Sequence, residues 1–141
     1  MRKTITQQDN FGCSIACLAS LLHFSYRKAS RHFNKQRARN GGFYCKKVVE
    51  ILRKYNKNFS SKYLTPRLRN KIYQNSTIVY IEKSKKYPAG HYLVRDKNMW
   101  MDPWINFQES HDIKKAKSGF RKRLPGRPIY AISSNKYFIQ R

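Results

Sequence analysis

The sequence predicts an α+β fold in which N-terminal helices pack on a C-terminal antiparallel sheet. Three observations support this prediction. Apolar residues recur at helical spacing before residue 56, β-branched and aromatic runs follow residue 76, and turn residues separate those runs. A length of 141 residues is that of about one domain, so we expect residues 1–141 to form a single domain.

Apolar periodicity predicts three helices in the first half of the chain. In residues 13–24 the apolar positions recur at i, i+3, i+4 and i+7 and form one face, made of Ile15, Leu18, Ala19 and Leu22. A short second helix is predicted over residues 26–33, before a turn at Asn40-Gly41-Gly42. Residues 43–55 predict a third helix with its own apolar stripe. The polar segment 56–75 predicts nothing more than a helical turn at Pro66.

The second half predicts strands that are joined by turns and one long loop. Residues 106–127 are polar and basic, which predicts a loop with a helical turn. The turns are predicted at Pro88-Ala89-Gly90 and Asp96-Lys97-Asn98. The strands are predicted at residues 77–81, 91–95, 99–101 and 128–133.

Composition argues against a membrane span and against a disulfide or zinc framework. No apolar run approaches the roughly 18 residues that a membrane-spanning helix needs. The cysteines Cys13, Cys17 and Cys45 leave one thiol over in any disulfide scheme, and none has zinc-site spacing. No apolar segment follows the basic start, so no secretory signal is predicted. We expect a cytoplasmic protein, or one exported without a cleavable signal, that needs no metal or organic cofactor.

The net charge of +24 predicts an anionic partner. The chain has 31 Lys and Arg against 7 Asp and Glu, and both residues 1–75 and residues 76–141 carry the excess. Such a field favours nucleic acid, an anionic membrane surface, or an acidic inhibitor or immunity protein. The alternative is that the lysines are simply solvated.

Cys13 is the residue from which a site can be argued. It directly precedes the apolar run of the first predicted helix. Unpaired N–H groups and the positive end of the dipole at a helix start favour a thiolate, which is the nucleophilic form of cysteine. A thiol nucleophile needs a base, usually histidine, and a third polar group to orient that base. Alone, however, Cys13 would most often be a buried structural thiol.

His91 is the best placed base. It opens a predicted strand directly after Gly90, and Asp102 closes the next strand. If these strands pair as a hairpin, Asp102 lies beside His91 and accepts a hydrogen bond from its Nδ1–H. The other histidines lie too far along the Cys13 helix or in polar segments expected at the surface: His23, His32 and His111.

The order and spacing of these residues resemble the papain-like cysteine peptidases that process bacteriocin leader peptides at double-glycine sites, and their stand-alone relatives. The match spans residues 7 to about 104 and has two parts. The first part comprises Gln7, Asp9, Cys13, Ala16 and Leu18. The second part comprises Gly90-His91, the apolar residues after it, and Asp102-Pro103.

The resemblance implies a papain-like fold and a thiol hydrolase, most simply a cysteine peptidase that acts on a peptide or protein substrate. It implies Cys13 as the nucleophile, His91 as the general base and Asp102 as the orienting acid. Gln7 would donate its side-chain amide to the oxyanion, with the Cys13 backbone N–H as the second donor. Gln8 is the competing candidate for that amide.

The chain also departs from the resemblance. Ser14 follows the cysteine where the family usually has Gly, and we expect it to crowd the substrate cleft slightly. Gly12 stands where an acidic residue is common. The strongly positive net charge is the larger departure. It keeps open two alternatives to the peptidase: a basic papain-like toxin effector that cleaves RNA, and an inactive nucleic-acid-binding module. Aromatic residues interleaved with the charge would stack bases in either case.

Overall fold

Four α-helices precede a six-stranded antiparallel sheet and a fifth follows it in the computed structural model, which describes residues 3–138. Two short 3₁₀ helices cover Arg69–Tyr73 and Ile113–Lys115. The α-helices of the described residues are α1 (Cys13–Leu22), α2 (Tyr26–Ser30), α3 (Lys35–Asn40), α4 (Cys45–Lys54) and α5 (Asn135–Phe138). The strands are β1 (Phe59–Tyr63), β2 (Ile78–Ile81), β3 (His91–Asp96), β4 (Met99–Asp102), β5 (Gly119–Arg121) and β6 (Pro128–Ser134).

The strand order β1-β6-β2-β3-β4-β5 places β3 inside the sheet. The predicted hairpin of β3 and β4 is confirmed, with Val94 opposite Met101. β6 pairs antiparallel with both β1 and β2, so the last strand lies between two earlier ones. The hairpin brings the start of β3 and the end of β4 to the same end of the sheet.

One face of the sheet packs against α1 and α4. Helix α1 is enclosed on nearly every side, since each residue from Ser14 to Leu21 is buried. Helix α4 is amphipathic and buries Val48, Ile51 and Leu52. Each such aliphatic side chain stabilises the fold by roughly 1.5–3 kcal/mol. The other face has its own cluster, in which Trp100 and Leu93 are buried with residues of the Arg69–Tyr73 segment and α5.

The observed bounds correct the prediction in several places. The first helix ends at Leu22 rather than residue 24, because His23 adopts a left-handed conformation and its N–H bonds back to Ala19 and Ser20. The second helix ends at Ser30. The predicted turn at Pro66 is present, closed by the Leu68 N–H that donates to the Thr65 carbonyl, and the 3₁₀ helix itself begins at Arg69. The elements α3, α5, β1 and β5 were not predicted. Strands β1 and β5 lie at the two sheet edges and lack a clear apolar alternation, so their pairing partners define them.

None of the helices in residues 3–138 has the length and apolar character needed to cross a membrane.

Candidate active site

Cys13 is the first residue of α1, and the segment before it is held tightly. The N-cap, Gly12, has no side chain to cap the helix. The Asp9 carbonyl accepts from the Gly12 N–H at 3.0 Å, and the Asp9 carboxylate accepts from the Tyr26 hydroxyl at 2.7 Å. A Cβ at residue 12 would lie 2.0 Å from that hydroxyl oxygen. A side chain at residue 12 would therefore have to displace the Tyr26 ring, whereas glycine fits beside it.

Ser14 does not crowd the cleft. Its side chain is completely buried and is absent from the residues that line the cleft. The expectation was wrong because successive helical residues are about 100° apart, so Ser14 points into the core while Cys13 stays partly exposed.

His91 and Asp102 are brought together as predicted, but through a different ring nitrogen. Nε2 of His91 donates to Oδ1 of Asp102 at 2.6 Å, so the expected Nδ1–H contact is wrong. Nδ1 is thereby left for the Cys13 thiol, whose interaction with His91 raises the pKa of the imidazole. Gly90 fixes the entry into β3, with a φ of 76° and a Cβ position only 2.1 Å from the Tyr80 hydroxyl oxygen.

Electrostatics favour the charged form of both members of the pair. Burial by itself lowers the pKa of His91, but the Asp102 charge, the hydrogen bond to Asp102 and the contact with Cys13 raise it to about 9. Burial by itself raises the pKa of Asp102. The charge and hydrogen bond of His91, the Trp104 backbone N–H and Arg121 more than offset this, so the pKa lies below its ordinary value. An imidazolium–carboxylate pair is therefore expected at neutral pH.

Arg121 is a partner of Asp102 that the sequence analysis missed. Its Nε lies 3.1 Å from Oδ2 of Asp102, an ion pair in which the N–H is not aligned as a hydrogen bond. Asp102 is fully buried and Arg121 is about a quarter exposed. Strand β5 pairs antiparallel with β4, and this edge pairing supplies the arginine. Because β5 was predicted as loop, Arg121 gave no signal in the sequence.

Gln7 is buried beside the nucleophile, whereas Gln8 is exposed and outside the cleft. Nε2 of Gln7 donates to the backbone carbonyls of Asp9 at 3.0 Å and Asn10 at 3.2 Å. Its Oε1 has no hydrogen-bond partner among the described residues. In this conformation both amide hydrogens are used within the loop.

A cleft of about 940 Å³ is lined by Gln7, Cys13 and His91, while Asp102 lies behind His91. Three of the predicted site residues thus share one cavity, and the fourth contacts it through the imidazole. Aromatic rings dominate the rest of the lining. The cationic side chains that line it are Arg37, Lys46 and Lys83.

A column of stacked rings supports His91 on the other side. Tyr87 stacks on His91 at 4.7 Å with an interplanar angle of 5°, Phe107 stacks on Tyr87, and His111 stacks on Phe107 at 4.3 Å. His111 is exposed, as expected, but it also lines the cleft, which the sequence did not indicate. His32 is only partly exposed, since its Nε2 lies 2.7 Å from the Tyr55 hydroxyl.

The other two thiols are less suited to nucleophilic chemistry. Burial and the nearby Cys13 raise the pKa of Cys17, which lies in the core. Burial also raises the pKa of Cys45, although a hydrogen bond with Tyr92 offsets part of this. Within residues 3–138 no group of three or more His, Cys, Asp or Glu side chains could hold a metal ion.

Comparisons with known proteins bear on the fold. Neither a scan against models of protein families nor a search of curated proteins found a match. Among solved structures, the chain is similar to the peptidase domain of Streptococcus ComA, described as a bi-functional ABC transporter involved in a quorum sensing pathway. The TM-score is 0.55 at 21% sequence identity, over 94% of this chain and 97% of that one.

The chain has the fold of a papain-like peptidase domain. The fold class predicted from the sequence is thereby confirmed, and so is the resemblance to this type of peptidase at the level of the fold. In this papain-like fold the cleft lies between the start of α1 and the start of β3, where Cys13 and His91 meet.

Proposed function

We propose that this chain is a cysteine peptidase in which Cys13 is the nucleophile, His91 the general base and acid, and Asp102 the group that orients His91. The observation that carries the proposal is the convergence of the Cys13 thiol and the buried His91–Asp102 pair on one cleft of a peptidase fold. By the resemblance in sequence, a peptide containing a double-glycine site is the first substrate to test.

The reaction begins from the pair formed by the Cys13 thiolate and the His91 imidazolium. The thiolate attacks the carbonyl carbon of the scissile bond, and the negative charge passes to the carbonyl oxygen. That oxygen accepts from the Cys13 backbone N–H at the uncapped start of α1 and from Nε2 of Gln7. For this, Gln7 exchanges one of its two carbonyl contacts for the oxyanion.

Collapse of this intermediate breaks the C–N bond, and His91 gives its proton to the leaving amine. A thioester on Cys13 remains. Water then attacks it as His91 takes a proton, and His91 keeps that proton as the carboxylic acid leaves and the Cys13 thiolate is restored. Asp102 stays ionised throughout and stabilises the imidazolium, and Arg121 holds the second carboxylate oxygen.

Thiol labelling with iodoacetamide at neutral pH tests the nucleophile. Cys13 should react faster than Cys17 and Cys45 by about 10-fold or more, because burial raises the pKa of both other thiols. His91→Ala should slow labelling of Cys13 and leave Cys45 unchanged. The proposal would be contradicted if Cys13 and Cys45 were labelled at equal rates and His91→Ala did not change the labelling rate of Cys13.

Parallel assays on peptides and RNA test the reaction type. Peptide cleavage that disappears in Cys13→Ala supports the peptidase. RNA cleavage that disappears in Cys13→Ala would instead support the ribonuclease alternative, which the fold comparison does not favour. Salt-sensitive RNA binding without any cleavage would support the nucleic-acid-binding alternative.

A further inference from the structure

Four tyrosines stand in one row across four neighbouring strands. Tyr63 of β1 is opposite Tyr130 of β6, Tyr130 is opposite Tyr80 of β2, and Tyr80 is opposite Tyr92 of β3. Successive ring centroids are 5.6, 6.4 and 4.9 Å apart. Directly paired residues project from the same face of a sheet, so the four rings form a continuous aromatic surface, here termed the tyrosine row.

The outer part of the tyrosine row, Tyr130 and Tyr63, is left uncovered by the helices. The same face continues, two residues along each strand, into side chains that are buried in the core beneath the helices, such as Ile78, Val94 and Ile132. Tyr92 is 4% exposed, but exposure rises along the row to 39% at Tyr130 and 56% at Tyr63. The row therefore runs from the buried centre of the sheet to an open edge.

The inner end of the tyrosine row lies in the same cleft as the proposed nucleophile. Tyr92 follows His91 directly in β3, and Tyr80, Tyr92 and Tyr130 line the same cleft as Cys13. Three strand spacings of about 4.8 Å make the row roughly 14 Å long. An extended peptide of about four to five residues covers that distance at roughly 3.3 Å per residue.

The charge of the cleft is of one sign. Arg37, Lys46 and Lys83 line it, and none of its described lining residues is Asp or Glu. An occupant with carboxylates would gain electrostatic attraction there, whereas a cationic one would be repelled. The large, rigid tyrosine rings suit apolar and aromatic side chains at low entropic cost.

The geometry points to the tyrosine row as the binding surface for an acidic peptide segment of about four to five residues beside the scissile bond. Its apolar side chains lie on the rings, and its carboxylates face Arg37, Lys46 and Lys83. A peptide fits better than RNA because neighbouring rings are inclined by 79°, 48° and 53°, which leaves no parallel faces for successive bases. The inference names the substrate class of the proposed peptidase and rests on that function only for the position of the scissile bond.

Binding to the Cys13→Ala protein tests the inference without any need for cleavage. The probes are a fluorescein-labelled peptide of alternating Glu and Phe or Leu, about ten residues long, the same peptide with Lys for Glu, and a uridine oligomer of similar length. Fluorescence anisotropy should show the acidic peptide binding about 10-fold or more tightly than the lysine peptide.

Two variants, one double and one single, locate the binding surface, each with a control. Tyr63→Ser with Tyr130→Ser should weaken acidic-peptide binding by about 10-fold. Tyr73→Ser, at a tyrosine 54% exposed but outside the cleft, should not. Lys83→Glu should weaken binding by about 3- to 10-fold more than Lys57→Glu, which changes the net charge equally at an exposed residue outside the cleft.

Several results would overturn the inference. One is equal affinity for the acidic and the lysine peptide. Another is an affinity for the acidic peptide that the tyrosine substitutions do not change. The third is a uridine oligomer that binds more tightly than the acidic peptide and depends on the same tyrosines. If the double tyrosine variant fails to fold, the comparison of Lys83→Glu with Lys57→Glu decides alone. If the protein binds the acidic peptide as expected but cleaves no peptide, the proposed function fails and this inference stands. If the protein is an active peptidase but its peptide binding does not depend on the tyrosines, only this inference fails.

Discussion

Nε2 of His91 lies 2.6 Å from Oδ1 of Asp102, and both side chains are almost completely removed from solvent. The contact reverses the effect of burial on His91, so its pKa rises to about 9 instead of falling. Because this is above the ordinary value of 6.5, the imidazolium contributes stability that is fully present below pH 6.5 and lost as the pH rises through about 9. The lowered pKa of Asp102 adds stability that is present above its ordinary value of 3.8 and lost as the pH falls further.

Asp102→Asn should lower activity and move the alkaline limb of the pH profile. In the wild type we expect kcat/KM to fall as the pH rises through about 9. Without the Asp102 charge and hydrogen bond the pKa of His91 falls, so that limb should move to lower pH, and kcat/KM at neutral pH should drop by about 100-fold. Peptide cleavage across the pH range measures both effects. An unchanged alkaline limb would show that Asp102 does not set the charge of His91.

Arg121→Met should destabilise the fold and reduce activity together. It leaves Oδ2 of the buried Asp102 without its cation, which costs about 1–3 kcal/mol in the free energy of unfolding. Urea denaturation gives the stability, and kcat/KM with its pH profile shows whether the Asp102–His91 pair has shifted. Arg121→Lys is the control, since it keeps the charge and should recover part of both losses. Equal stability and activity in Arg121→Met and wild type would contradict a positioning role.

Gln7→Ala should reduce kcat by about 100-fold, because one oxyanion donor is lost. It should also cost stability, since the buried side chain bonds the Asp9 and Asn10 carbonyls. Gln8→Ala is the matched control at an exposed neighbour and should leave both quantities unchanged. Steady-state kinetics measures the loss of kcat, and urea denaturation measures the loss of stability. If Gln7→Ala lowered only the stability, Gln7 would not be an oxyanion donor.

The contact between Gly12 and Tyr26 can be tested with a double-mutant cycle. Gly12→Ala should destabilise the wild type strongly, because the new Cβ would lie 2.0 Å from the Tyr26 hydroxyl oxygen. In the Tyr26→Phe background that oxygen is gone, so the same substitution should cost less by about 1 kcal/mol or more. Thermal or urea unfolding of the four proteins measures the coupling. Additive effects would show that the hydroxyl does not dictate glycine at residue 12.

Gly90→Ala should impair folding and activity more than Gly41→Ala does. Residue 90 has a φ of 76°, and its Cβ would overlap the Tyr80 ring, so we expect a loss of about 2 kcal/mol or more and a displaced His91. Gly41 has open space around its Cβ position, so the change there should stay within about 0.5 kcal/mol. Unfolding midpoints and the rate of Cys13 labelling are the measurements. Equal losses of stability and of labelling rate in Gly90→Ala and Gly41→Ala would contradict the requirement for glycine at residue 90.

Local sequence pattern was enough for the elements that carry the site. The apolar period after Cys13 predicted α1, and the alternation around His91 and Asp102 predicted the hairpin that joins them, since both signals come from residues close in the chain. The edge strands β1 and β5 could not be predicted, because they are defined by hydrogen bonds to distant strands and bury little of their own surface.

The sequence by itself determined that the chain is a basic α+β protein with a cysteine at a helix start, followed by a histidine and an aspartate on a hairpin. Only the tertiary structure decided which imidazole nitrogen contacts Asp102, that Arg121 pairs with that carboxylate, and that four tyrosines form one row. The physical reason is that periodicity reflects burial within a single element. Side-chain orientation, cross-strand register and ion pairing depend instead on packing between elements that are far apart in the chain.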